Sequence, residues 1–260
     1  MDAVDRIFLP RTRDLQISDI LDCLRLGWRD FRRAPAIGIA VSALFSIVGI
    51  IIFAQLFVWG ERYWVIPIAA GFPLIGPFAA VGIYEVSRRL EAGQSADWAT
   101  TIQAIKTEKS RQIPLIAAMA AFFYLVWVYL AHLIFALTFG LAPITNVMSS
   151  PEFLLSTNGI IMLVLGTIVG GGLAVILFSI TVISVPMLMH REIDMVTAMI
   201  VSVRSVLQNP RPMLLWGLIV GVLTALAIVP LFLGMLIVFP VLGHATWHLY
   251  RRAVEPDSSQ

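Results

Sequence analysis

Two histidines near the C-terminus, in the stretch GHATWHLYRR (residues 243–252), have the spacing of a metal or haem ligand pair. His244 and His248 are four residues apart, so one face of a helix presents both imidazoles. A complete site needs ligands from other segments, and His132 lies about 20 Å deeper in its predicted span than His244. His190 can approach His248 only if their helices are neighbours. We therefore favour an interfacial anchor that makes an interhelical hydrogen bond, and we predict no metal and no cofactor.

A second group of polar residues combines a carboxylate with arginines at helix ends. Glu85, Arg88 and Arg89 follow one apolar segment, and Arg251 and Arg252 follow another. Basic side chains in such positions attract anionic lipid headgroups of the inner leaflet, or they bind a partner. The alternative is a solvated helix end without a ligand, which is the commoner origin of this pattern. These five residues and the two histidines are the polar and interfacial candidates.

The motifs of common enzymes are missing from the sequence. HREID (190–194) is not the zinc-binding HExxH, and neither GxSxG nor GxxxxGK occurs. No Asp, Glu, Lys or Arg falls in the centre of a predicted span, where a proton-coupled carrier needs an ionisable group. We predict no catalytic residues and no enzymatic activity. Neutral polar residues could still line a passive pathway: Gln55, Thr167, Ser179, Thr181, Ser184 and Thr224.

The composition is that of an integral membrane protein. Hydrophobic residues make up 59% of the 260 positions and charged residues only 13%, whereas soluble chains carry about 25% charged residues. The lone Cys23 excludes a disulfide framework and is expected to be buried or to face lipid. The N-terminus lacks the apolar core of a signal peptide.

Six apolar segments are predicted to cross the membrane as helices: residues 37–59, 64–84, 113–139, 159–189, 213–229 and 231–250. The last two come from one apolar stretch that as a single helix would be about 55 Å long, whereas the hydrocarbon core is about 30 Å thick. Pro230 has no N–H to continue the helical ladder, so we place the break there. Pro67, Pro77 and Pro240 are predicted to bend the second and sixth spans.

The distribution of basic residues supports six crossings over five. With six spans and the N-terminus inside, Arg62 alone of the 18 lysines and arginines lies outside. Five spans would also move Arg251 and Arg252 outside, against the positive-inside rule. Both termini are therefore expected in the cytoplasm.

Each predicted hairpin is preceded by a polar segment that is expected to form an amphipathic helix on the cytoplasmic surface. In the first segment, apolar residues repeat at the helical period, with aspartates and arginines opposite: Ile17, Ile20, Leu21, Leu24, Trp28 and Phe31. The chain is thus predicted to be one all-α membrane domain, a bundle of three parallel hairpin repeats. Its parts are 1–36, hairpin 37–84, 85–112, hairpin 113–189, 190–212, hairpin 213–250 and the tail 251–260.

An internal repeat fits this organisation. A shift of 163 positions aligns the second predicted span with the sixth, so that Pro67 falls on Pro230, Pro77 on Pro240, and the pair Arg88–Arg89 on the pair Arg251–Arg252. The same spacing would arise by convergence, because a bent span that ends in an interfacial aromatic and a basic stop requires it.

Several stretches resemble a bacterial integral membrane family, the domain of unknown function 2189. They are GWRDFRRAP, AAGFPLIGPFAAVGIYEVSRRLEAG, VISVPMLMHREID and FPVLGHATWHLYRRAVE. The resemblance extends from about Ile17 to Val254 and implies the multi-span topology and the bacterial inner membrane. Members are sometimes labelled cytochrome c oxidase subunit I, but that catalytic subunit has about a dozen spans and six histidine ligands. This chain has four histidines, so the label is not literal, and no substrate, cofactor or catalytic residue is implied.

Three functions remain open from the sequence. The first is a non-catalytic accessory or scaffolding protein that binds membrane lipid, a membrane-protein partner or a second copy. The second is a small-molecule facilitator, and the third is an oxidase-associated accessory subunit. Nucleic acid is not an expected partner.

Overall fold

The computed structural model describes residues 10–57, 76, 80–109, 113–140 and 155–256. Every regular element in these residues is an α-helix, apart from an isolated antiparallel bridge between Thr12 and Val254. The predicted all-α class is therefore confirmed. The helices are α1 (Ile17–Arg33), α2 (Pro35–Phe57), α3 (Val81–Glu91), α4 (Trp98–Lys109), α5 (Ile113–Phe139), α6 (Thr157–Thr181), α7 (Ser184–His190), α8 (Met195–Gln208), α9 (Pro210–Ile228) and α10 (Met235–Ala253).

Four helical segments among the described residues are long and apolar enough to cross a membrane: Pro35–Gln55, Ala121–Phe139, Thr157–His190 and Pro210–Ile228. They coincide with the first, third, fourth and fifth predicted spans. The second predicted span, 64–84, lies mostly outside the described residues, as do its prolines Pro67 and Pro77. The sixth coincides with α10, whose second half carries two histidines and two arginines and is less apolar than the other spans.

The predicted break near Pro230 is present. Helix α9 ends at Ile228 and α10 begins at Met235, and between them Leu231 and Phe232 adopt left-handed backbone conformations with φ of 52° and 64°. Such conformations are costly for residues with a side chain, so the turn needs support from its surroundings. Ser46 of α2 provides some of it by donating a hydrogen bond from Oγ to the Phe232 carbonyl at 3.1 Å. Pro240, by contrast, lies inside α10.

The fourth predicted span is interrupted near its inner end. Helix α6 ends at Thr181 and α7 begins at Ser184, because Pro186 has no N–H to donate to the carbonyl of residue 182. Ser202 of α8 occupies the break, accepting from Ile183 N at 3.1 Å and donating to the Ser179 carbonyl at 2.7 Å. The interruption therefore fixes α8 against the end of α6.

Helix starts follow the capping signals in the sequence. Asp97, Ser156 and Asp194 accept hydrogen bonds from the backbone N–H three residues later, at 2.9, 3.1 and 3.0 Å. These bonds satisfy N–H groups that the first turn leaves unpaired. Two of these caps begin α4 and α8, the helices of the predicted cytoplasmic segments 85–112 and 190–212.

The densest packing joins α1 to the second half of α10. Gly27 of α1 lies so close to α10 that an added Cβ would be 2.6 Å from Val241 O and 2.7 Å from Ala245 N. Glycine is needed here because only a residue without a side chain permits this approach. The apolar face of α1 is therefore used partly for helix packing: Ile20 and Phe31 are buried, while Ile17, Leu21 and Trp28 stay exposed. Attachment of this helix to a lipid surface stays a prediction.

Beside this core, the segment before α1 is hydrogen-bonded to the segment after α10. Arg13 N donates to the Ala253 carbonyl at 2.8 Å, and Glu255 N donates to the Arg11 carbonyl at 3.0 Å. Asn209, between α8 and α9, accepts from Leu15 N at 2.7 Å. The segment before α1, the tail after α10 and the start of α9 are thus neighbours.

Candidate functional site

A buried carboxylate on α1 meets one of the two predicted histidines. His248 of α10 donates from Nε2 to Asp30 Oδ2 at 2.7 Å, and Asp30 is only 1% exposed. Burial alone would raise the pKa of Asp30. The hydrogen bond from His248 and the nearby positive charge together outweigh this effect, so the pKa of Asp30 lies below its ordinary value. The folded protein therefore holds an ionised carboxylate between two helices.

The second histidine joins the same network through α3. His244 Nδ1 and Ser87 Oγ are 2.7 Å apart, and Ser87 Oγ is 3.3 Å from Asp30 Oδ2. A hydroxyl has one proton, so when Ser87 donates to the carboxylate its oxygen accepts from His244 Nδ1–H. His244 Nε2 is buried and has no hydrogen-bond partner in the described structure. We define Asp30, Ser87, His244 and His248 as the polar network; it connects α1, α3 and α10.

Glu85, two residues before Ser87, is neutralised by two arginines of its own helix. Arg88 donates from Nε to Oε2 at 2.7 Å and from its terminal nitrogen to Oε1 at 2.8 Å, and Arg89 Nε donates to Oε1 at 2.8 Å. Glu85 is only 2% exposed. The carboxylate of this predicted cluster is therefore held in the protein interior, and only its arginines reach the surface.

Arg251 and Arg252 each bind carboxylates of other helices. Arg251 Nε donates to Glu91 Oε1 at 3.0 Å, and the indole N–H of Trp247 donates to Glu91 Oε2 at 2.8 Å. Arg252 donates to Asp19 Oδ1 at 2.6 Å on α1. The basic end of α10 is thus anchored to both α1 and α3.

His190 approaches α10, but at a different residue from the one considered in the sequence. Its Nδ1 lies 2.8 Å from the Tyr250 hydroxyl, and its ring meets Trp247 edge-on at a centroid distance of 5.5 Å. Helices α7 and α10 are therefore neighbours. His132, in α5, has its Nδ1 2.7 Å from the Val128 carbonyl of its own helix.

In the part of the chain that the structure describes, no group of three or more His, Cys, Asp and Glu side chains is arranged to hold a metal ion. His244 and His248, predicted as polar and interfacial residues, each use a ring nitrogen for a hydrogen bond to another helix. The arrangement can fix three helices relative to each other. It gives neither Ser87 nor Asp30 access to a substrate, because both are buried.

Sequence reasoning missed Asp30, Ser87 and Glu91, and placed the aspartates of α1 on its polar face. For Asp30 that placement is wrong, because its side chain points into the core. A signal was available: Ile20, Cys23 and Gly27 continue at helical spacing to Asp30, so the carboxylate belongs to the buried stripe. Its partner His248 is 218 positions away along the chain, and no local pattern reveals that pairing.

Cys23 offers a probe of the contact between α1 and α10. It is fully buried, and burial raises the pKa of its thiol to about 12. Because the thiolate is the reactive species, we expect maleimide at pH 8 to leave the folded protein unmodified and to label it stoichiometrically after denaturation. Mass spectrometry measures the outcome, and rapid labelling of the folded protein would contradict the described packing of α1.

Residues 65–190 match the model of a family described as "Predicted integral membrane protein (DUF2189)". The match confirms the resemblance for this part of the chain, which contains α3 to α7. The chain matches no curated protein and no solved structure. Of the polar network, Ser87 lies within the matched residues, and Asp30, His244 and His248 lie outside them.

Proposed function

We propose that this chain, whose residues 65–190 match the model of a family of predicted integral membrane proteins, is a non-catalytic accessory or scaffolding protein of the bacterial inner membrane. In this role its helix surfaces bind lipid or a membrane-protein partner. The observation that carries the proposal is the polar network. The reactive side chains of this network, an aspartate, a serine and two histidines, are buried, and their hydrogen bonds join α1, α3 and α10.

Six crossings follow if the four apolar spans cross the membrane. Asp30, Ser87 and His248 are in contact, so the ends of α1, α3 and α10 lie on one side. Helix α2 leaves that side directly after α1, and α3 is back on it, which supports the predicted return crossing between them. Helices α5 and α6 form the second hairpin across the membrane. The chain is back on the starting side after α6, because His190 of α7 contacts Tyr250 of α10.

Helices α9 and α10 form the third hairpin across the membrane. Helix α9 leaves from Asn209, which is bonded to Leu15, and α10 returns to place Arg252 at Asp19. Each has 19 residues, about 28 Å at 1.5 Å per residue, so α10 retraces the thickness that α9 covers. Because each hairpin returns to the side from which it started, the number of crossings is even, which supports six crossings over five. The excess of arginines on this side of the molecule supports its placement in the cytoplasm.

Labelling from outside the cell tests this topology. We expect a membrane-impermeant maleimide to modify Asn158→Cys and Val229→Cys in intact spheroplasts, and Gln94→Cys and Pro256→Cys only after lysis. The buried native Cys23 gives no background. Modification of Pro256→Cys from outside, or of Val229→Cys only after lysis, would contradict the three-hairpin arrangement.

Three of the hydroxyls considered as a passive lining do not favour the facilitator. Ser179, Thr181 and Ser184 donate to the carbonyls of Val175, Leu177 and Ile180, four residues earlier on the chain, at 2.7, 2.8 and 2.5 Å. Hydroxyls that bond their own backbone offer less to a solute. The scaffold therefore accounts for more of the described geometry.

Native purification in mild detergent tests the function itself. A scaffold is expected to copurify with lipid or a membrane-protein complex, to show no haem absorption, and to give vesicles no solute flux above empty controls. Flux abolished by Thr181→Val would support the facilitator instead. A Soret band lost in His244→Ala would overturn the structural role of the histidines.

A further inference from the structure

Helix α8 carries several large apolar side chains on the outside. Its buried face combines Val201 with small and hydroxyl residues, Ala198, Ser202 and Ser205 among them. On the outer face, Val196 is 61%, Ile200 49% and Leu207 75% exposed. An exposed aliphatic stripe of this kind is unfavourable in water, so α8 requires an apolar environment on that side.

The outer face of α8 and the end of α6 enclose an open groove of about 750 Å³. Its walls are aliphatic, with Ile180 on the α6 side and Val196, Ile200 and Leu207 on the α8 side. The polar side chains of the lining, Arg204 and Gln208, lie together near the end of α8. The groove is therefore apolar along most of its length, and its polar end carries Arg204 beside Gln208, whose amide donates to Asp14 Oδ1 at 2.7 Å.

A span that begins at Thr157 would place the groove at the depth of phospholipid headgroups. A hydrocarbon core of about 30 Å takes up about 20 helical residues, so a span that begins at Thr157 leaves it near residue 177, just before Ile180. Helix α8 packs at this level through Ser202, which bonds Ser179 and Ile183. Ile176, one turn earlier on α6, is exposed and continues the aliphatic wall into the bilayer.

The charge of the groove selects one occupant. Arg204 is exposed and forms no ion pair with the residues that the structure describes. An arginine at the membrane boundary attracts anionic headgroups, and its guanidinium matches phosphate geometry. We propose that the groove binds a phospholipid with an anionic headgroup, whose phosphate contacts Arg204 and whose acyl chain lies along Ile176, Ile180 and Ile200. This assignment rests on the proposed scaffold function and names one of its ligands.

Photocrosslinking in vesicles tests the assignment. The purified full chain is reconstituted with trace photoactivatable phosphatidylglycerol or phosphatidylcholine, and crosslinked peptides are mapped by mass spectrometry. We expect phosphatidylglycerol to label residues 195–208 preferentially, and Arg204→Gln to reduce this labelling about fivefold. Ile200→Asp should reduce it as well, since it places a negative charge in the aliphatic wall. Unreactive Cys23 in each variant confirms that α1 is still packed.

Arg211→Gln is the matched control, because Arg211 is also exposed and lies in the first turn of α9, three residues after α8 ends, but does not line the groove. It should retain the labelling of the unaltered protein. Equal labelling by both lipids, an equal loss in Arg211→Gln, or a second copy crosslinked along residues 195–208 would overturn the assignment. A membrane complex that copurifies without groove-bound lipid would keep the scaffold function while rejecting this lipid site.

Discussion

Replacing Asp30 with alanine is expected to lower the free energy of unfolding by about 1–3 kcal/mol, the usual cost of leaving buried hydrogen-bonding groups without their partner. The substitution leaves His248 Nε2 without its acceptor and removes the second partner of Ser87. Neither group can turn to water, because both residues are buried. Reversible denaturant unfolding in mixed micelles, followed by tryptophan fluorescence, measures the loss.

Asp22→Ala is the control, because it removes a carboxylate from the same helix at a partly exposed position. The Asp22 side chain is 43% exposed and pairs with Arg25 and Arg252 at 3.2 and 3.3 Å. Exposed pairs of this kind contribute about 1 kcal/mol or less. If the two alanine variants lost the same stability, the polar network would not be the tie that joins α1 to α10.

A double-mutant cycle separates the network from general packing loss. Asp30→Ala and His248→Ala should together cost less than the sum of the two single variants, with a coupling of about 0.5–3 kcal/mol. The reason is that the second substitution removes the group that the first left unpaired. Asp22→Ala combined with His248→Ala should be additive.

The spans could be predicted from the sequence because their signals are local. The apolar run near residues 37–59 is long enough to cross the bilayer by itself, and the stretch after residue 213 is too long for one crossing, so Pro230 had to interrupt it. The observed turn at residues 229–234 follows from that limit. The break before Ser184 has the same origin in Pro186, but it falls inside a continuous apolar run that hydropathy alone does not divide.

The candidate site could be predicted only in part, because its contacts join distant segments. His244, His248 and Glu85 were identified from type and spacing, and the structure brings the two histidines together with Asp30. The expectation that charges avoid the buried face failed at Asp30, since a buried carboxylate is tolerated when hydrogen bonds and opposite charge compensate its desolvation. That compensation comes from α10 and cannot be read within α1.

The apolar face of α1, which the sequence assigns to a lipid surface, is used largely for packing against other helices. The sequence predicts a helix that lies on lipid, yet Ile20, Cys23, Gly27 and Phe31 face protein. The remaining exposed stripe of Ile17, Leu21 and Trp28 is narrower than the apolar face in the sequence. The hydrophobic period therefore identifies the helix correctly but does not distinguish a helical neighbour from a lipid surface.

Gly27→Ala should destabilise the protein although alanine favours helices. By helix propensity alone the substitution would gain about 1 kcal/mol. The added Cβ would, however, lie 2.6 Å from Val241 O and 2.7 Å from Ala245 N, and these are backbone atoms that no rotamer change can move. Overpacking of this kind costs about 1–3 kcal/mol, and displacing α1 would also stretch the bond between Asp30 and His248, so the net effect is a loss of stability.

Gly166→Ala provides the matched control, since nothing lies within 4 Å of an added Cβ at that position of α6. It should keep or raise the stability, by up to about 1 kcal/mol. Maleimide labelling distinguishes the mechanism, because only a displaced α1 uncovers Cys23: labelling of the folded protein should accelerate in Gly27→Ala and stay negligible in Gly166→Ala. Equal stability and equally slow labelling of both variants would show that the close approach of α1 to α10 does not hold this end of the molecule together.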